Sequence, residues 1–275
     1  MDNQKITFVI FTYNEAARIE RVIKNFQSFG KILLADNNST DGTIEIARKN
    51  GCEVFLRKEE YVFVENQQLV DQLYEVIDTE WIYWGFADEM LELDTLNEIK
   101  KVVLADKHDI ITMDRKNYFY GQFCYDLFHA RTYKMFKKGT LDFTNNVIHS
   151  TGTATVPKNK IYDLPDKYFI HHFISNTAKS YMNVINNYTE SEVESYRRPK
   201  TSLIYFIFIV SKITIKSFFF NKGYKSGYAG LTLTQLMLFY SLIKDMKHYE
   251  KNNDLNRLSI ENKNNRFRDN ILKRF

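Results

Sequence analysis

The chain of 275 residues is short of the residues that punctuate or staple a fold: it has three prolines, ten glycines and two cysteines. So few prolines exclude Pro-rich linkers, and no internal repeat is present. Cys52 and Cys124 stand far apart and match no metal-ligand spacing, which excludes a disulfide framework and points to free thiols in a reducing compartment. A glycine-rich phosphate loop of the Walker or dinucleotide kind is missing after the first strand, which disfavours a P-loop ATPase, a dehydrogenase and a nucleotidyltransferase. The net charge of +4, from 38 basic and 34 acidic side chains, is too weak to imply nucleic-acid binding. The N-terminus has neither the basic start nor the long apolar run of a signal peptide, so the expected location is cytoplasmic. One absence is regional. From Ser195 to Lys244 there is no Asp or Glu, while Arg197, Arg198, Lys200, Lys212, Lys216, Lys222, Lys225 and Lys244 are basic.

What is present is a hydrophobic content of 44% with 15% aromatics, enough for a large core. Ile6 to Phe11 is a continuous apolar run that reads as a strand buried on both faces. From Glu15 the period becomes helical, with Ile19, Val22, Ile23 and Phe26 on one face, Asn14 as cap and Gly30 as stop. Ile32 to Ala35 forms a second strand, a short helix runs to Gly51, and Cys52 to Leu56 forms a third strand. Val64 to Ile77 reads as a helix and Trp81 to Trp84 as a fourth strand. Alternating strands and helices with short loops predict a doubly wound α/β unit whose ligand crevice lies at the carboxyl ends of the strands. Thr12, Asn14, Asp36 and Asp88 fall at those ends. Asp88 and Glu89 invite a cation there, although acids that merely begin a helix would look the same. Ser39 or Thr40 is expected to cap the helix after the second strand.

The run ITFVIFTYNEAARIERVI, then LLADNNSTDGTIEIARKNGCEVF, then a strand ending in FADE, resembles the inverting nucleotide-sugar glycosyltransferases of family 2 with the GT-A fold. More narrowly it looks like the bacterial branch that builds lipopolysaccharide core, capsule and related surface glycans. Looser likeness continues in RKNYFYG, RTYKMFKKG, NVIHS, NNYTE and NKGYKSGYAGL. The resemblance implies a Rossmann-like, mostly parallel central sheet flanked by helices, a UDP-sugar donor and a divalent cation, Mg²⁺ or Mn²⁺. It places Thr12, Tyr13, Glu15, Asp36, Asn38 and Ala87 at the nucleotide, and Asp88, Glu89 and a late histidine at the metal, His171 in preference to His172, both of which follow an expected strand Lys167 to Ile170. Asp88 is also the implied catalytic centre, and Arg131 approaches the diphosphate or the acceptor. The family's Asp-x-Asp is reduced to Phe86-Ala87-Asp88, and no Lys or Arg occurs in Glu65-Asn66-Gln67-Gln68. Where relatives read Val-His-Glu this chain has Ile148-His149-Ser150; a serine is a poor base, leaving His149, Asp126 and Asp142, of which His149 has the most suitable pKa, about 6.5 unperturbed.

The expected domains are a catalytic GT-A domain over 1–175, with a nucleotide half 1–92 and an acceptor half 93–175, and a C-terminal amphipathic helical region over 176–275. Leu203 to Val210 is wholly apolar, Lys212 and Lys216 recur on one helical face, and Ser226 to Ile243 is uncharged. Two lysines in the first stretch weigh against a transmembrane helix, which needs about 20 apolar residues. An amphipathic helix at the inner face of the cytoplasmic membrane, drawn by anionic lipid, fits better. A shallow re-entrant pair, packing on the catalytic domain and a homodimer contact are the alternatives. The expected activity is transfer of a hexose or N-acetylhexosamine to a glycan or lipid-linked acceptor. The rival is a catalytically weak GT-A-like scaffold subunit of a glycan assembly complex.

Overall fold

A computed structural model of the chain describes residues 5–58, 65–146, 151–193 and 203–275. The chain divides into two compact units, Met1–Ser175 and Asn176–Phe275.

The first unit begins β1 (Ile6–Thr12), α1 (Ile19–Phe26), β2 (Lys31–Asp36), α2 (Thr43–Lys49), β3 (Glu53–Leu56), α3 (Gln67–Val76) and β4 (Trp81–Phe86). It continues β5 (Glu89–Leu91), α4 (Leu93–Ala105), β6 (Ile110–Phe119), β7 (Gln122–Phe123), β8 (Ala130–Lys137), β9 (Leu141–Asp142), β10 (Thr153–Ala154), β11 (Ile161–Asp163) and β12 (Phe169–Ile174). All seven residues of β1 are buried, as its unbroken apolar run requires of a strand covered on both faces. The main sheet runs β3-β2-β1-β4-β8-β6-β12-β5, with β7 and β11 also paired to β6. β1, β2, β3 and β4 are parallel, and β6 is parallel to β11 and β12. β8, β5 and β7 run antiparallel to their neighbours. This is a GT-A-like α/β fold.

Alternation along β1 and β4 feeds two apolar layers. Phe8, Ile10, Trp81 and Tyr83 pack with Ile19, Val22, Ile23 and Phe26 of α1, and Val9, Phe11, Ile82 and Trp84 pack with Leu69, Val70 and Leu73 of α3. Gly30 lies where β2 is about to start, and a β-carbon there would collide with the Ile6 carbonyl oxygen. The glycine is needed for close approach more than for stopping α1, whose C-cap is Gln27. Asn14 does not cap α1 either. It sits in the left-handed region at φ 57°, and its Oδ1 accepts from the Thr40 N–H at 2.8 Å.

The second unit holds α5 (Ala178–Glu192), α6 (Leu203–Thr214), a π-helical turn (Ile215–Phe220), a 3₁₀ turn (Gly223–Ser226), α7 (Gly227–Asn252) and α8 (Arg257–Leu272). Thr177 and Ser180 form a capping box on α5, satisfying two otherwise orphaned N–H groups. Glu192 ties α5 to α7 by accepting from Tyr240 Oη at 2.6 Å and Lys244 Nζ at 3.0 Å. α8 buries none of its residues. Among the described residues no single helix is long and apolar enough to cross a membrane.

Candidate active site

The parallel register sets Thr12 beside Asp36 at the ends of β1 and β2. Asp36 is fully buried, and a buried carboxylate must be met by donors. Its oxygens accept from Thr12 Oγ1 at 2.6 Å, Ser39 N at 2.7 Å and Ser39 Oγ at 2.7 Å. The Ser39 oxygen in turn accepts from the Asn14 N–H at 2.8 Å. Asp36 therefore holds the crevice from behind instead of lining it. Ser39 is engaged in this web and does not cap α2; Asp41 accepts from the Thr43 N–H and hydroxyl at 3.1 and 2.5 Å, and from the Ala16 N–H at 3.0 Å. Tyr13 and Asn38 are exposed in the two loops, beside the exposed Asn14, Thr40 and Asp41. Thr12→Val leaves the buried carboxylate one donor short. A loss of about 1.5–3 kcal/mol is expected, the scale of a hydrogen bond to a charged group; an unchanged urea midpoint would contradict this account of Asp36.

Asp88 occupies the turn between β4 and β5, and its carbonyl accepts from Phe173 N at 2.8 Å, which fastens the turn to β12. The register of β12 on β6 pairs His172 with Asn117 and His171 with Lys116. Successive side chains on a strand face opposite ways, so only one histidine can reach the turn. It is His172, whose Nε2 lies 3.2 Å from Asp88 Oδ2. His171, the residue expected from the sequence, instead meets Tyr118 Oη through Nδ1 at 2.9 Å and faces Glu92 at 3.3 Å. The expected strand Lys167 to Ile170 is displaced: β12 is Phe169–Ile174, and both histidines lie inside it.

The imidazole of His172 is held from behind by Asn117. Asn117 Nδ2 donates to the Leu127 and Phe128 carbonyls, both at 2.9 Å, so its Oδ1 is free to accept from His172 Nδ1 at 2.6 Å. That network assigns one hydrogen to Nδ1 and turns Nε2 toward Asp88, where Nε2 donates to the carboxylate when it is protonated and offers its lone pair when a cation takes the place of that proton. Burial pushes the Asp88 carboxyl up, but His172, with Arg18 and Arg115 beyond it, outweighs burial and holds it below the ordinary range. A carboxylate and an Nε2 with a fixed Nδ1–H are the donor set that a divalent cation takes from a protein when phosphate oxygens complete its shell. Among the described residues no group of three or more His, Cys, Asp or Glu side chains is placed to hold a metal alone.

Glu89 is not a ligand in this arrangement. It is completely buried, accepts from Lys134 Nζ at 2.9 and 2.8 Å, and has Arg115 at 3.7 Å. β8 carries an irregularity opposite Ile111 and Thr112, where Met135 and Tyr133 pair but Lys134 between them does not. A bulge of this kind re-aims a side chain, and here the ammonium reaches Glu89, the Trp84 carbonyl at 2.9 Å and the ring of Phe86 at 4.9 Å. Phe86, standing where the first Asp of the family motif would be, thus covers a buried ion pair. Burial pulls the Lys134 ammonium down in pKa, and Glu89 works against that pull.

The remaining expected site residues divide. Glu15 pairs with Arg18 beside the crevice; burial raises its pKa against the pull of that guanidinium. Ala87 is buried in the apolar layer under the turn and offers no side-chain contact to a nucleotide. Arg131 is committed to Asp114 at 3.1 Å, Asp166 at 2.7 Å and the Leu164 carbonyl at 2.8 Å, so its charge is spent between β6 and β8. Asp126 pairs with Lys116 at 3.2 Å. Asp142 accepts from Thr144, which holds its carboxyl below the usual range. His149 lies outside the described residues. The residues that sequence reasoning missed are Ser39 as a site organiser, Asn117 and Lys134; of the two candidate histidines, the structure brings His172 to the turn in place of the preferred His171. The NNSTDGT run signalled the first; the other two, and the choice of histidine, depend on strand register.

A parallel half-sheet with a polar web at two strand ends and an acidic turn at a third defines an α/β domain whose crevice lies at the carboxyl ends of its strands. Residues 7–163 match the family model Glycosyl transferase family 2; the chain belongs to that family and is a glycosyltransferase. An uncharacterized glycosyltransferase of Rickettsia felis is 24% identical over 257 residues, covering 88% of this chain and 88% of its own length. Among solved structures, S. aureus TarS 1-349 in complex with UDP-GlcNAc is similar at 13% identity and a TM-score of 0.46, over 80% of this chain and 73% of that one. The mannosyltransferase PcManGT from Pyrobaculum calidifontis, in complex with GDP-Man and Mn²⁺, is similar at 16% identity and a TM-score of 0.43, over 72% of this chain and 66% of that one.

Proposed function

We propose that this glycosyltransferase moves a hexose or N-acetylhexosamine, with inversion, from a UDP-sugar to a hydroxyl of a surface-glycan or lipid-linked acceptor. The observation that carries the reading is the meeting of Asp88 and His172 at 3.2 Å, with the Thr12–Asp36–Ser39 web at neighbouring strand ends. In this reading Tyr13 and Asn38, both exposed, meet base and ribose, and Asp36 holds their loops through Thr12 and Ser39. Asp88 and His172 would hold Mg²⁺ or Mn²⁺, and a cation bound there neutralises the charge that develops on the leaving diphosphate. The bond from the acceptor oxygen to the anomeric carbon forms as the bond from that carbon to the diphosphate oxygen breaks on the opposite face. The hydroxyl proton passes to a base, assigned to His149 because its unperturbed pKa of about 6.5 suits the transfer. The lipopolysaccharide-core and capsule branch is the proposed branch, on the motifs it shares with this chain.

UDP with Mn²⁺ is expected to raise the melting temperature by several degrees, since a ligand that binds only the native state stabilises it by mass action. No shift with any nucleotide at millimolar concentration would overturn the reading. A shift with a guanosine or thymidine nucleotide alone would replace the donor.

A further inference from the structure

In the second unit α6 and the π-helical turn form one helix to Phe220, and the following helix, Gly223–Asn252, made of the 3₁₀ turn and α7, is bent from it by 67°. A β-carbon at Gly230 would collide with the Gly223 carbonyl oxygen, so the start of α7 presses directly on the 3₁₀ turn and the tip is a fixed shape. Along α6 and into the π-helical turn the exposed side chains Ile204, Ile207, Phe208 and Ile215 fall on one face at helical spacing, with Phe206 exposed on another side. At the tip Phe220 is 76% exposed and Tyr228 is 76% exposed, with Phe219 and Tyr224 also turned outward. The exposed Lys212 and Lys216 sit one residue round the helix from that face, Lys212 with its ammonium 5.8 Å from the Phe208 ring. The opposite side of α7, Ala229, Leu233 and Leu236, is buried.

We propose that this bent tip, from Ile204 to Tyr228, docks into the surface of an anionic phospholipid bilayer, with Phe219, Phe220, Tyr224 and Tyr228 entering the headgroup layer. Three features select lipid over a protein partner. A contiguous exposed apolar and aromatic face marks an interaction surface. No acid occurs from Ser195 to Lys244 to repel a negative leaflet. Lysines at the border of the apolar face can rest their stems on it and lift their ammonium groups to lipid phosphate. Among the described residues no single helix is long and apolar enough to cross a membrane, while the bent pair together has the length and composition of a broken span or re-entrant loop; Lys212 and Lys216 within its first helix favour insertion in the plane of the interface. Lys244, in contrast, is tied to Glu192 and takes no part. The inference does not depend on the identity of the donor or acceptor.

The test is co-sedimentation of the full chain with vesicles of equimolar phosphatidylcholine and phosphatidylglycerol, beside vesicles of phosphatidylcholine alone. Binding to the anionic vesicles that weakens with added salt is expected. Lys212→Gln with Lys216→Gln should weaken it about fivefold per lysine, the share of one cation near an anionic surface. Phe219→Ser with Phe220→Ser should abolish it while the circular dichroism melt and donor turnover stay as in the parent; both rings are exposed, so the fold has little to lose. No vesicle binding, or equal binding to neutral vesicles, overturns the proposal. So does a dimer in sedimentation velocity that the double Phe variant converts to monomer, since a second copy would then cover the face.

Discussion

Asp88→Asn is expected to lower sugar transfer by at least about a hundredfold, the upper scale reached by changing even a residue that only hydrogen-bonds to a metal ligand. The substitution keeps the shape of the side chain, and the turn is held through the Asp88 carbonyl and Phe173 N–H, which it does not touch. What it removes is the negative charge opposite His172. Donor turnover measured with and without Mn²⁺ reads the effect, and a retained metal-dependent rate would show that the cation sits elsewhere. Asn117→Leu separates positioning from ligation. It leaves Asp88 and His172 in place but removes the acceptor that fixes His172 Nδ1–H. A roughly 10–100-fold loss in Mn²⁺ affinity is expected from loss of an outer partner, read as the metal concentration giving half of the thermal shift. An unchanged midpoint would mean that His172 is not a ligand.

The second large effect is on stability. Glu89→Ala strands the Lys134 ammonium in the interior, where both side chains of the pair are almost wholly shielded. Removing one partner of a buried ion pair typically costs about 3–5 kcal/mol, because the survivor stays desolvated without compensation. Denaturant unfolding should show a loss of this size. The double change Glu89→Leu with Lys134→Met should recover most of it, since replacing a buried pair by apolar side chains of similar volume is often near neutral. If the single variant unfolds at the parent midpoint, Glu89 is not the counter-charge of Lys134. Arg115, at 3.7 Å, bears the smaller part of the same field.

These two residues show how far the sequence could be read. Asp88 and Glu89 are adjacent, and by sequence both were metal candidates. Adjacent residues at a turn between paired strands diverge, and the divergence is decided by what lies behind each. Behind Glu89 stands Lys134, brought there by the bulge in β8; in front of Asp88 stands His172, brought there by the pairing of β12 with β6. Neither placement has a local signature, because a bulge and a register depend on strands far apart in the chain. Arg131 misled for the same reason. Its basic segment is conspicuous, yet Asp114 on the paired strand and Asp166 before β12 absorb the charge.

The sequence by itself determined the α/β alternation, the burial of β1 and β4, and the polar loops at the carboxyl ends of the strands. Apolar periodicity and loop composition are local properties that the chain carries wherever it folds. It also determined that the stretch from Ser195 to Lys244 would be basic and free of acids. Only the tertiary structure decided which histidine faces Asp88, that Asp36 supports the crevice from behind, and that Lys134 neutralises Glu89 beneath Phe86. Each of these is a contact between strands or loops distant in sequence, and shifting a strand by one residue would reverse every such assignment.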